Sequence, residues 1–350
     1  HGEGGADIEI TSDGKIALLM TQRTNPGQQT IDNPLARAPR GIDVVDVSDP
    51  AHPKLASFFP LPINGPHTAH YHREPDGREI VAIDTYDLVT DPTSGAIVAA
   101  NPGTQRVYLT ELLRDTAGAR LQVRGVYEVK DLPPQGKEYF PHDSFIERHP
   151  LTGKLLLYVA YWDAGVRIVD ITDLTQPVEI AAYQDFAPSK LAAMHDVKTF
   201  PFLVNGTMHV TAAAPEIVTA PEHGQITFLD TTDPAHPKKL GYWSMPGEAV
   251  VDAPFLFSPH VFDVDTRGNV VIGHYHAGVW LLDASDPTNA TTLGYYFPHE
   301  ERPGYHGTQP NVWGARFFHG LVVATDGPTG LYFLRPDAGL LGSAPVGNVS

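Results

Sequence analysis

Three features of the 350-residue sequence predict an all-β fold: a β-propeller of six four-stranded blades, with seven blades as the alternative count. Glycine and proline number 32 each, punctuation too frequent for long helices and suited to many short strands. A strand–turn–strand segment recurs along the chain. Its copies are nearly evenly spaced from residue 46 to residue 335, which marks a repeat architecture rather than two separate β-sandwiches.

The first copy is Gly41-Ile-Asp-Val-Val-Asp46-Val-Ser-Asp49-Pro, followed by Pro53-Lys-Leu-Ala-Ser-Phe-Phe. The others are Gly165-Val-Arg-Ile-Val-Asp170-Ile-Thr-Asp173, Gln225-Ile-Thr-Phe-Leu-Asp230-Thr-Thr-Asp233-Pro and Gly278-Val-Trp-Leu-Leu-Asp283-Ala-Ser-Asp286-Pro, each with its own downstream apolar run. Two weaker copies are Gln105-Arg-Val-Tyr-Leu-Thr110 and Gly330-Leu-Tyr-Phe-Leu-Arg335. The β-branched and aromatic run is a buried strand. The Asp-x-Ser/Thr-Asp-Pro segment is turn chemistry, in which side-chain oxygens cap local N–H groups. The next apolar run returns as a strand, and two more strand-like segments precede each copy. Four strands make one propeller blade.

Positions 46, 110, 170, 230, 283 and 335 are thus equivalent, at spacings of 64, 60, 60, 53 and 52. The blades are expected at about 7–62, 66–132, 141–187, 194–247, 259–299 and 311–336, in a single domain with a tail at 337–350. The last copy has no clear fourth strand, which makes the N-terminal segment the candidate to close the ring there. The Pro- and Gly-rich segment 86–104 reads as a long loop between strands two and three of the second blade.

The Gly-x-x-Val-x-Asp-x-Ser-Asp-Pro segments resemble those of LVIVD-repeat β-propeller proteins. More distantly, Tyr161-Trp-Asp-Ala-Gly165 with the Asp170 segment is similar to the selenium-binding protein/methanethiol oxidase family. That resemblance implies a metal-dependent propeller, with copper in the bacterial oxidases.

In a propeller the first strand of each blade lines the central channel, so the repeat sorts the 17 histidines by position. His67, His142, His195 and His260 open the first strands of blades two to five. Equivalent positions around a ring converge, and four neutral imidazoles suit copper or Fe(II), with Mn or Zn possible. Such a histidine can instead donate to a carbonyl of the next blade. His70 continues the first strand of blade two and is a further candidate ligand. His274 and His276 fall between strands two and three of blade five, where blade three has Tyr161, Trp162 and Asp163. Their i, i+2 spacing places both imidazoles on one side of an extended strand. His276 is a candidate ligand, and His274, His276, Trp162 and Asp163 are candidate catalytic residues. Asp143 and Asp196 follow their histidines and face the other way, as acceptors between blades. Glu138, Asp163, Glu216 and Glu222 are carboxylates that could orient a ligand histidine. Trp280 and Trp313 read as core. His52, His149, His209, His236 and His319 are placed away from the metal, and His223, His299 and His306 read as loop residues.

A formal net charge of −17 repels nucleic acid and suits a protein that handles a small-molecule substrate. The absence of cysteine excludes disulfides, thiolate metal sites and Cys nucleophiles. No nucleophile elbow or phosphate loop is present. No apolar run approaches the roughly 18 residues of a membrane span. With His1 as the first residue, the expected setting is secreted or periplasmic. The expected activity is that of a metal-dependent oxidase or oxygenase; a Mn/Zn lyase or hydrolase and a non-catalytic binding propeller are the alternatives.

Overall fold

The computed structural model describes residues 5–21, 40–61, 65–85, 88–90, 97–100, 105–116, 118–130, 139–186, 193–216, 225–246, 257–298, 309–337 and 339–340. They form an all-β, six-bladed propeller with no helix. The chain divides into two compact units, His1–Ile180 and Ala181–Ser350.

In unit one, blade one is β1 (Gly5–Ile10), β2 (Ile16–Thr21), β3 (Gly41–Asp46) and β4 (Lys54–Pro60), paired in that order. Blade two is β5 (Pro66–Arg73), β6 (Glu79–Thr85), β9 (Arg106–Asp115) and β10 (Gly118–Tyr127). The segment between β6 and β9 carries a short hairpin, β7 (Leu88–Thr90) with β8 (Ile97–Ala100). Blade three is β11 (Asp143–Arg148), β12 (Leu155–Ala160), β13 (Val166–Asp170) and β14 (Val178–Tyr183), whose last residues pass into unit two.

In unit two, blade four is β15 (Met194–Thr199), β16 (Val210–Pro215), β17 (Gln225–Asp230) and β18 (Lys238–Ser244). Blade five is β19 (Phe262–Val264), β20 (Asn269–Gly273), β21 (Val279–Asp283) and β22 (Thr291–Tyr296). Blade six has three strands among the described residues, β23 (Val312–Phe318), β24 (Leu321–Asp326) and β25 (Gly330–Leu334).

The repeat chemistry is realised as read. Asp46, Asp170, Asp230 and Asp283 end the third strands of blades one, three, four and five. Each accepts the backbone N–H two residues on, from Ser48, Thr172, Thr232 and Ser285, at 2.9–3.0 Å. Asp49, Asp173, Asp233 and Asp286 repeat this bond in the same turns. Blade two departs from the pattern: β9 and β10 are ten residues each and join at Asp115–Gly118 without the Asp turn, so position 110 lies inside a strand. The N-terminal segment also differs from expectation. β1 pairs antiparallel with β2 and completes blade one, so it is not the missing fourth strand of blade six.

Apolar side chains of the middle strands pack between neighbouring sheets. One such core joins blades one and two around Leu18, Ile42, Val81 and Ile83, and another joins blades two and three around Leu109, Leu157 and Tyr161. Unit two has the same arrangement, with Phe228, Trp243 and Ile272 between blades four and five and Val271, Val312 and Ala324 between five and six. The outer strands approach the next blade's turn so closely that a side chain does not fit. A Cβ on Gly125 of β10 would lie 1.9 Å from the Leu174 carbonyl oxygen, and one on Gly241 of β18 would lie 2.7 Å from that of Pro287.

The first strand is an edge of its sheet, so its outward N–H groups need acceptors from elsewhere. Side chains of the preceding blade supply them. In unit one, Asp7 accepts from Ala69 N (3.4 Å) and His70 Nδ1 from Ile146 N (3.1 Å). In unit two, Asp196 accepts from Phe262 N (3.0 Å) and Asp263 from Phe317 N (2.9 Å). Asp196 therefore acts between blades, as its position after His195 suggested. Asp143 accepts from its own neighbour, Ser144 N (2.8 Å).

Candidate metal centre

His142 and His260 open their strands in the same way. Each donates its backbone N–H to the last residue of the second strand, Ala160 or Gly273, at 2.8 Å. The chain then turns between strands two and three in a conformation common to both blades. In blade three, Tyr161 N bonds Gly165 O, Ala164 N bonds Tyr161 O, and Gly165 N bonds Trp162 O. In blade five, the same three bonds link His274, Tyr275, Ala277 and Gly278. Trp162 and Tyr275 hold the equivalent place with φ of +38° and +43°, a left-handed backbone that costs an aromatic residue roughly 1–3 kcal/mol. The turn aims each ring at the histidine of its own blade. Trp162 stacks on His142, with centroids 5.3 Å apart at 26°, and Tyr275 lies edge-on to His260 at 4.8 Å. Residues 274–277 are consequently a tight turn, which corrects the expectation of two imidazoles on one side of an extended strand.

Unit one brings two of the four strand-opening histidines together. The Nε2 atoms of His67 and His142 are 2.9 Å apart, with ring centroids at 4.3 Å. Two atoms each about 2.1 Å from one ion stand about 3.0 Å apart at right angles and about 4.2 Å apart when opposite. The contact is a hydrogen bond in which one Nε2–H donates to the other ring, and its spacing also suits neighbouring ligands on one ion once that proton leaves. Phe140 stacks on Trp162 with centroids 4.8 Å apart and lies 6.2 Å from His142.

Unit two holds the other two. The His195 and His260 rings are 3.9 Å apart at 47°. His260 Nδ1 donates to the Trp313 carbonyl of blade six at 2.5 Å. A carbonyl only accepts, so the proton is on Nδ1 and the Nε2 lone pair is left for a ligand role. Burial pushes the His260 imidazole down to about 4, which keeps it neutral at physiological pH. His195, 1% exposed, has its Nε2 3.9 Å from Oε2 of Glu216, within the range of two donors to one ion. Glu216 follows β16 at the position of Tyr161 and His274, and its Oε1 accepts a short hydrogen bond from the Tyr275 hydroxyl. Burial raises the Glu216 carboxyl, and the Tyr275 bond opposes that rise. Burial and the Glu216 charge push the Tyr275 phenol up, so it stays a donor.

The remaining candidates have other settings. His70 Nδ1 is engaged by the Ile146 amide, so its neutral ring carries the proton on Nε2 and offers a metal no lone pair. His274 is fully buried, edge-on to Trp243 at 6.2 Å. His276 sits partly buried in the blade-five turn, at the position Asp163 holds in blade three. Trp280 is core, whereas Trp313 is 52% exposed and its ring lies 5.2 Å from His260, contrary to its reading as core. His52 and His236 bond Asp49 and Asp233 in exposed turns (2.8 Å each), and His209 bonds Thr231 (2.8 Å). His149 Nδ1 accepts from Thr152 N (3.2 Å), and His319 packs on Phe318. Glu138, Glu222, His1, His223, His299 and His306 lie outside the described residues.

Behind the first pair, Thr68 Oγ1 lies 2.7 Å from the His142 carbonyl and 3.0 Å from Asp84 Oδ2. Thr68 Oγ1 faces both acceptors as donor and shares its one proton between the His142 carbonyl and Asp84. Burial, with the Asp7 charge adding to it, pushes Asp84 up to about 7 against hydrogen bonds from Ser144 and Thr68. The folded state holds this proton more tightly than the unfolded chain, so stability falls as pH rises from about 4 through about 7. Asp84→Asn, which keeps a donor, is expected to remove this component. Urea midpoints across that range should bring the two proteins' difference steadily toward the variant; a pH-independent difference contradicts the reading.

Two segments, residues 36–59 and 156–185, match the family described as LVIVD repeat. They contain the third strands and Asp turns of blades one and three. No curated protein matches the sequence significantly. Among solved structures, the periplasmic gluconolactonase PpgL of Pseudomonas aeruginosa is similar with a TM-score of 0.58 at 10% identity, over 97% of this chain and 88% of that one. A Bacteroides uniformis protein provisionally assigned as a 6-phosphogluconolactonase gives 0.56 at 11%, over 95% and 84%. Sqt1 of Saccharomyces cerevisiae gives 0.55 at 13%, over 93% and 69%. At such identities the likeness establishes the fold alone.

Proposed function

We propose that this chain is a metal-dependent oxidoreductase in which the strand-opening histidines, His67 and His142 in unit one and His195 and His260 in unit two, ligate copper or Fe(II). The observation that carries this reading is the 2.9 Å separation of the His67 and His142 Nε2 atoms, which is the spacing of neighbouring ligands on one ion. The repeat supports extending it to His195 and His260, because they occupy the same position in blades four and five. All-imidazole ligation without cysteine suits catalytic copper or iron and not a blue-copper electron carrier.

When bound, the ion would supply an open position for O₂ or a small substrate. The protein's own residues do the rest. His260, with its proton fixed on Nδ1 by Trp313, presents Nε2. Glu216 beside His195 supplies a carboxylate donor or a base, and the Tyr275 hydroxyl holds its other oxygen in place. Trp162 and Tyr275 cover their histidines and limit water.

The same Glu216 favours one second reading, a Zn- or Mn-assisted hydrolase in which the carboxylate activates water. The lactonase names of two structural neighbours agree with that class. Elemental analysis of the untagged protein as purified tests both. About one copper or iron per chain supports the oxidoreductase, and about one zinc or manganese supports the hydrolase. Sub-stoichiometric metal of every kind removes both and leaves a binding propeller.

A further inference from the structure

A cavity of about 830 Å³ opens in unit one between the third and fourth strands of blades two and three. Its size suits a small organic ligand. Although the chain as a whole carries −17, this groove gathers Arg106, Lys130 and Arg167 against Glu128 and Glu179.

Glu179 accepts from Arg167 Nη1 (3.0 Å) on one oxygen and from the Tyr127 hydroxyl (2.5 Å) on the other. Glu128 accepts from Arg106 Nε (3.1 Å) on Oε2. The cations keep donors beyond these two pairs. Arg167 is 5% exposed and is anchored through Nε to the Ala164 carbonyl (3.0 Å), so its fork is pre-positioned and buried. Its Nη2, both Nη groups of Arg106 and the Lys130 ammonium meet no acceptor among the described residues. Apart from Glu128 Oε1, the unspent hydrogen-bonding capacity of the groove is mostly donor, which suits an acceptor-rich, negatively charged group. Val126, Pro177 and Val178 add an apolar wall beside it.

We propose that this groove is a second binding site, for a small organic acid: a carboxylate seated on Arg167 and Lys130 with an apolar body against Val126 and Val178. This site is independent of the histidine cluster. The test is isothermal titration of the full chain with benzoate and with its neutral isostere benzamide. Benzoate is expected to bind with a millimolar-range Kd that weakens with added salt, and benzamide not to bind. Lys130→Glu alters an exposed side chain and is expected to weaken benzoate by about tenfold or more; Arg167→Gln is expected to abolish it. Metal content should be the same in Lys130→Glu and the parent, which separates this site from the metal proposal. Absence of benzoate binding, equal binding of benzamide, or unchanged affinity in Lys130→Glu each overturns the assignment.

Discussion

His195→Ala is expected to bring the metal content of the purified protein to background. The imidazole is 1% exposed, sits 3.9 Å from the His260 ring, and faces the Glu216 carboxylate at 3.9 Å. Loss of a residue that merely orients a ligand costs about 10–100-fold in metal affinity, and loss of a ligand is expected to cost no less. Glu216→Gln keeps the hydrogen bond from Tyr275 but removes the charge, so a smaller loss is expected. His236→Ala is the matched control. Its ring sits in an exposed turn on Asp233, and its metal content should equal the parent's. Equal metal in His195→Ala and the parent, measured by elemental analysis after dialysis, contradicts the assignment of His195.

The second large effect concerns stability. Asp196 is fully buried, accepts the Phe262 amide of the next blade, and pairs with Lys198 at 3.1 Å, itself 6% exposed. Asp196→Ala removes the carboxylate that bonds the buried Lys198 ammonium and takes from a buried N–H that acceptor. Breaking a buried pair in this way costs about 3–5 kcal/mol. The urea midpoint of Asp196→Ala should fall accordingly. Asp196→Ala/Lys198→Met should recover part of the loss, because the ammonium that lost its Asp196 bond is gone. A single variant within about 1 kcal/mol of the parent would show that the contact between blades carries little.

The fold was legible because its determinants are local. Asp46, Asp170, Asp230 and Asp283 cap turns within two residues of themselves, and the β-branched runs before them form strands whatever lies beyond. Blade closure was not legible, since the pairing of β1 with β2 depends on which of two sheets offers an edge. Position in the repeat found the strand-opening histidines but misjudged their neighbours. His70 follows the same strand as His67, yet serves where other blades use aspartate, as the acceptor for the next blade. Histidine and aspartate are interchangeable in that role, so composition suggested a ligand where the fold needs an acceptor. The turn at 274–277 reads as alternating strand until its likeness to 161–164 is noticed. That likeness was in the sequence, and it makes Tyr275 the counterpart of Trp162. Trp313 could not be placed, because its approach to His260 depends on blade six packing beside blade five.

Histidines equivalent by repeat are expected to ligate the metal. X-ray absorption spectroscopy of the metal-loaded protein, read for the number of imidazole rings in the first shell, tests it most directly. At least two imidazoles at about 2.0–2.1 Å are expected. A shell of oxygen donors with at most one imidazole would contradict it.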